Sequence, residues 1–201
     1  MAEKMTVIGI TGPTGAGKTT ALRELERLGG AVIDCDAVYH RLLETDPALQ
    51  DELEARFGAL RDETGAIDRK KLGAVVFRDA AALTDLNAVV HPYVTRAVRA
   101  LLQEAERQKR PAAAVDAIGL FESGLDRLCD VTLAVTAPPE TRIRRIMARE
   151  GISEEYARSR VSAQEPDEFY TGRCGHTLVN DCASAEAFAA RARALFLRII
   201  Q

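Results

Sequence analysis

The chain has 201 residues, 47% of them hydrophobic and 28% charged, with a formal net charge of -3. That length suffices for a buried core, and the composition is that of an ordinary soluble globular protein. No stretch of about eighteen apolar residues could cross a membrane as a helix, and the weak negative charge gives no electrostatic reason to expect a nucleic-acid partner. The opening Met1-Ala2-Glu3-Lys4 leads straight into an apolar run, without the basic start and cleavage site of a signal peptide, so a cytoplasmic location is expected. Cys35, Cys129, Cys174 and Cys182 include no C-x-x-C pair and no histidine at zinc spacing, and read as reduced, mostly buried thiols.

Thr6 to Ile10 is a short, β-branched apolar run that suits a buried first strand. After a glycine-rich stretch, Leu22, Leu25 and Leu28 recur at helical spacing until Gly29-Gly30, and Ala31 to Asp34 forms a second strand. A strand, helix and strand in succession imply a parallel sheet. From about Ala37 to Arg110 the periodicity is helical, with a turn at Asp62 to Gly65 and a helix start at His91-Pro92. Ala112 to Ile118 and Asp130 to Thr136 read as core strands, and Thr177 to Val179 as a short late one. Pro138 to Glu150 and Ser153 to Gln164 read as two helices, followed by an irregular stretch from Glu165 to Gly175. Ser184 can cap the last helix, whose apolar stripe is Phe188, Ala192, Leu195, Phe196 and Ile199.

Gly12-Pro13-Thr14-Gly15-Ala16-Gly17-Lys18-Thr19 matches G-x-x-x-x-G-K-[ST] at every fixed position, between an expected strand and an expected helix. Glycines let the backbone turn its N–H groups inward as an anion nest, and the helix adds the positive end of its dipole. Gly12, Gly15, Ala16 and Gly17 would cradle the phosphates of ATP, Lys18 would reach the β- and γ-phosphates, and Thr19 would coordinate Mg²⁺, with Thr20 adding a hydroxyl. The fold class that follows is α/β, a three-layer P-loop fold with a parallel sheet.

A phosphate loop does not name the acceptor, so a base and a second pocket must come from elsewhere in the chain. Asp34 and Asp36 follow the second strand, where the carboxyl edge of an open sheet brings strand ends together. If the strand continues, both carboxylates point one way, to orient a substrate hydroxyl and hold hydrated Mg²⁺. Alternatively, Asp36 caps a helix starting near Ala37. His91, at an expected helix start, is a candidate for binding an anion or hydroxyl, and Glu122 lies on the carboxyl rim after the third strand, or complements a helix dipole there. Arg142, Arg145 and Arg149 fall on one helix face as candidate phosphate ligands, or as a solvated face partnered by Glu140 and Glu150.

Taken in order along nearly the whole chain, these residues resemble the dephospho-coenzyme A kinase family. The resemblance is carried by Ile10-Thr11-Gly12 entering the glycine loop, Val32 to Asp36, His91-Pro92, Leu120 to Leu125, Arg149 to Ser153 and Arg160 to Gln164. It implies an enzyme that uses ATP and Mg²⁺ to phosphorylate the 3'-hydroxyl of dephospho-CoA. Asp36 then matches the catalytic base and Lys18 acts with it, while Asp34, His91 and Glu122 line the acceptor site. The implied core covers 5–36, 112–137 and 176–201, with an acceptor-binding insertion at 37–110 and a lid at 138–175. Two departures stand out: Ile118-Gly119-Leu120 replaces a Pro-Leu-Leu-like run, and Asn180-Asp181-Cys182 replaces an Asn-Asn-Gly-like turn. A kinase for another small acceptor, such as a nucleoside monophosphate or a sugar acid, would share the loop and arginines. A GTPase-like switch would need a guanine-reading N-K-x-D segment together with a D-x-x-G after a strand, and the chain has no N-K-x-D.

Overall fold

β1 (Thr6–Thr11) supplies the central strand because its inward residues, Ile8 and Ile10, have nowhere to go but a dry interior. The computed structural model describes residues 4–77 and 79–200. In chain order β1 is followed by α1 (Lys18–Arg27), β2 (Ala31–Asp34), α2 (Cys35–Thr45), α3 (Pro47–Phe57), α4 (Arg69–Val76) and α5 (Ala80–Arg107). Then come β3 (Ala112–Asp116), a 3₁₀ turn at Leu125–Leu128, β4 (Val131–Thr136), α6 (Pro139–Glu150), α7 (Glu154–Ser162), α8 (Asp167–Thr171), β5 (His176–Val179) and α9 (Ala185–Ile200). The chain folds as two compact units, one built from the chain up to Ile33 and from Glu104 onward, the other from Asp34–Gln103.

The first unit is the sheet with its covering helices. Strand order is β2-β3-β1-β4-β5, and the pairs β1 with β3, β1 with β4 and β4 with β5 are all parallel. On one face Ile8, Ile10, Leu133 and Val135 meet Ala21 and Leu25 of α1 and Phe188 and Phe196 of α9, so the C-terminal helix closes the core. α6 and α7 share a smaller cluster of Ile143, Ile146, Ala157 and Val161. Ser153 and Ser184 cap α7 and α9 by accepting from Tyr156 N and Ala187 N at 3.3 and 3.2 Å.

Several sequence expectations are corrected here. The strand order, which no local pattern encodes, puts β3 between β1 and β2 through long-range pairing. β3 ends at Asp116, leaving Ile118 48% exposed, because the chain turns at Gly119. The stretch read as irregular after Glu165 contains α8. Only Cys35 of the four thiols is fully buried. Cys129 is half-buried, yet burial together with Asp126 and Asp130 pushes its thiol up to about 12.

The second unit is helical. Asp34, Asp46 and Asp68 cap α2, α3 and α4 by accepting from Ala37 N at 3.0 Å, Leu49 N at 3.1 Å and Lys70 N at 2.8 Å. The expected helix start at His91-Pro92 is wrong, because both residues lie well inside α5. Leu86, Val90, Val94, Val98 and Leu102 recur every fourth residue and all are buried, so packing carries the helix through a proline that local rules would use to begin one. The carbonyl left without its amide partner belongs to Ala88, which is exposed and can bond to water. Pro92→Ala should therefore stabilise the protein by about 2 kcal/mol, read as a shift in urea midpoint at constant slope. An unchanged midpoint would show that the helix bears no cost at Pro92. Among the described residues no helix is long and apolar enough to cross a membrane.

Candidate active site

The loop between β1 and α1 can take its path only with glycine at two positions. Gly12 has φ 137°, and a Cβ there would lie 2.0 Å from Val135 O; Gly17 has φ 112°, and a Cβ would lie 2.3 Å from Asn180 Nδ2. Gly17 is also the N-cap of α1 and offers no side-chain acceptor, so no capping side chain competes with a ligand at the start of α1. Lys18 Nζ donates to Gly12 O at 2.6 Å, which draws the ammonium back over the loop. Thr19 is exposed and Thr20 half-buried at the start of α1.

Behind the loop, three successive carbonyls are gripped from outside. Arg142 Nε donates to Thr14 O at 3.1 Å; Arg145 Nη1 donates to Gly15 O at 3.2 Å and Ala16 O at 3.3 Å; Asn180 Nδ2 donates to Ala16 O at 2.8 Å. Gln164 Oε1 accepts from Thr14 N at 2.9 Å and from Arg142 Nη2 at 2.6 Å, tying the end of α7 to the same corner. Arg145 Nη2 donates to Asn180 Oδ1 at 3.1 Å and closes the ring. Burial pulls the affinity of Arg142 and Arg145 for their protons below the usual guanidinium range, and Asp167, 3.8 Å from Arg142, opposes it there. In a planar trans peptide the N–H points opposite to the carbonyl, so gripping the Thr14 and Ala16 carbonyls from outside turns the Gly15 and Gly17 amides inward, while Ala16 N donates to Pro13 O at 3.3 Å.

The three arginines of α6 thus have different surroundings. Arg142 is buried and Arg145 half-buried against the loop, whereas Arg149 is exposed and pairs with Glu150 at 2.6 Å. Glu140 is partnered by Arg158 at 2.7 Å. Glu122 stands in the turn after β3, not in the first turn of an α-helix, and pairs with Arg173 at 2.7 Å. The same guanidinium stacks over Phe169 at 3.9 Å. Asn180 and Gln164 were not singled out as loop braces by sequence reasoning. Their partners are up to 164 residues away, and only a buried amide-bearing residue just after β5 hinted at the first.

In the helical unit the two aspartates separate. β2 ends at Asp34, whose carboxylate caps α2, and the helix starts at Cys35. Asp36 is therefore neither on an extended strand beside Asp34 nor the cap. It sits exposed in the first turn of α2, and its side chain makes no hydrogen bond or ion pair among the described residues. His91 is half-buried in α5.

No group of three or more His, Cys, Asp and Glu poised for a metal occurs among the described residues. The exposed Thr19 hydroxyl suits a cation held chiefly by phosphate oxygens and water, as Mg²⁺ is.

A family model described as dephospho-CoA kinase matches residues 6–186. A dephospho-CoA kinase of Geobacter sulfurreducens is 36% identical over 183 residues, covering 90% of this chain and 92% of the relative. A crystal structure from Thermus thermophilus superposes with a TM-score of 0.78 at 35% identity over 98% of both chains. Shikimate kinase from Bacteroides thetaiotaomicron, at 16% identity and TM-score 0.56 over 96% of this chain and 99% of that one, shares the fold alone. The matched span holds the glycine loop, the braces behind it and Asp36, and the chain belongs to the dephospho-CoA kinase family.

Proposed function

We propose that Asp36 and Lys18 carry the phosphoryl transfer, with the glycine loop as the seat of ATP. The reaction is ATP-dependent phosphorylation of the 3'-hydroxyl of dephospho-CoA, giving coenzyme A and ADP, the last step of coenzyme A biosynthesis. The observation that supports this division of labour is the state of Asp36, an exposed carboxylate with no structural task, beside an Asp34 that has one.

The acceptor 3'-oxygen attacks the γ-phosphorus as the bond to the β–γ bridging oxygen breaks. Asp36 takes the hydroxyl proton and ADP leaves. Loop amides such as those of Gly15 and Gly17 and the Lys18 ammonium hold the phosphates and offset the charge that develops on them. Arg142 and Arg145 serve ATP by fixing the loop from behind, and Arg149, exposed at the end of α6, is the arginine available to a phosphate. Mg²⁺ bound through Thr19 would neutralise the β- and γ-oxygens. Asp34 orients α2, and His91 and Glu122 serve the acceptor. The insertion at 37–110 binds the acceptor, and residues 138–175 act as the lid.

Purified protein with Mg·ATP and a panel of acceptors tests the assignment through ADP release. Turnover is expected on dephospho-CoA and none on nucleoside monophosphates or shikimate. Turnover on a monophosphate without any on dephospho-CoA would overturn it.

A further inference from the structure

Gln164 follows the C-cap of α7, half-buried, and its backbone N donates to Val161 O at 3.3 Å, so the chain beneath the side chain is fixed. One atom of its carboxamide meets two donors, Thr14 N at 2.9 Å and Arg142 Nη2 at 2.6 Å. A backbone N–H and a guanidinium can only donate, so that atom is the oxygen, and the two ends of the amide are distinguished by chemistry. The NH₂ at the other end keeps both hydrogens uncommitted, because it donates to nothing among the described residues.

The carboxamide sits at the end of the loop that faces the group to be transferred. Lys18, the cation that reaches the β- and γ-phosphates in such a loop, rests its ammonium on Gly12 O at 2.6 Å, two residues before Thr14. Gly17 and the start of α1 form the loop's other end. C=O and C–N bonds of about 1.2 and 1.3 Å hold the two heteroatoms of an amide about 2.3 Å apart, so Nε2 stays within about 5 Å of Thr14 N.

The arginines around it are engaged elsewhere. Arg142 donates to Thr14 O and faces Asp167 at 3.8 Å, Arg145 donates to Gly15 O, Ala16 O and Asn180 Oδ1, and Arg149 pairs with Glu150. Of the side chains bonded to the loop, Gln164 is the one whose NH₂ has no acceptor among the described residues. During phosphoryl transfer negative charge is spread over the three oxygens of the moving group, and a donor already fixed in place lowers the barrier without having to reorient.

We propose that Gln164 is a catalytic residue, its Nε2 donating to an oxygen of the ATP γ-phosphoryl group while its Oε1 stays on Thr14 N and Arg142. The inference rests on the glycine loop seating ATP. It gives the end of α7 a chemical task beside its bracing one, and it makes that part of the lid sensitive to which nucleotide is bound, since ADP has no γ-phosphate to engage it.

Calorimetric titration with Mg·ADP and with Mg·ATP tests this, because ADP meets the loop but lacks the group that Gln164 would touch. Gln164→Glu removes the donor and keeps both acceptor bonds, a carboxylate oxygen accepting from Thr14 N and Arg142 equally well. Its affinity for ATP should fall about tenfold while that for ADP stays within about twofold, and kcat for dephospho-CoA should fall about a hundredfold. Gln164→Met removes donor and brace together without adding charge, and it should lower the ratio of ATP to ADP affinity in the same direction. A side chain that only braces the loop would change both affinities alike. An unchanged ratio in the methionine variant therefore overturns the proposal, as does wild-type turnover in the glutamate variant. The ratio compares two ligands on one protein, so it can be read even in a variant that melts early. Should the wild type bind neither nucleotide, the assignment of the loop falls, and this inference with it.

Discussion

Asp36→Asn should lower kcat for dephospho-CoA about a hundredfold or more while ATP affinity stays within about twofold. Asparagine keeps the size and the place in the first turn of α2, and Asp34 keeps the cap, so the helix start survives. What is lost is the lone pair that takes the hydroxyl proton, a contribution of about 10²–10⁴ where a base is well placed. Calorimetric titration with Mg·ATP and steady-state turnover separate the outcomes. Weakened ATP binding with unchanged turnover would make Asp36 a structural or metal-holding residue. Asp34→Ala provides the contrast. It should destabilise the protein by about 1 kcal/mol, the usual cost of an emptied cap, with a far smaller loss of turnover.

Lys18→Met should reduce kcat/KM for ATP by about 10²–10³, the typical cost of deleting one preorganised donor to developing charge. Methionine retains the length and apolar stem of lysine, so the change isolates the ammonium. The Gly12 carbonyl that now accepts from Lys18 belongs to a residue at φ 137° packed so closely on Val135 that no Cβ would fit there. The variant should melt close to the wild-type temperature, and a wild-type kcat/KM in it would remove the nucleotide site from the loop.

The local half of this architecture was legible. β1, the glycine loop and α1 could be read in order because each uses a different kind of signal: an apolar run, turn residues, and leucines at helical spacing. Three things were not. Strand order escaped because β3 inserts between β1 and β2 through contacts over a hundred residues apart. Pro92 misled because an His-Pro pair is a fair start signal, and only the buried stripe from Leu86 to Leu102 overrides it. The two aspartates of Asp34-Cys35-Asp36 were ambiguous because both positions suit a cap, and one residue's difference in where β2 ends decides which has the task. Arg142 and Arg145 were legible as a basic pair on α6, but not as braces, since a carbonyl partner 128 to 130 residues away leaves no trace in local spacing.

The grip on Thr14, Gly15 and Ala16 carbonyls has a thermodynamic corollary. Fixing a residue's backbone costs about 1–2 kcal/mol of chain entropy. Here that ordering is completed when the protein folds, since side chains from α6 and from beyond β5 hold the peptide planes before any anion arrives. A polyphosphate should consequently meet a rigid receptor, with little disorder left to quench on association.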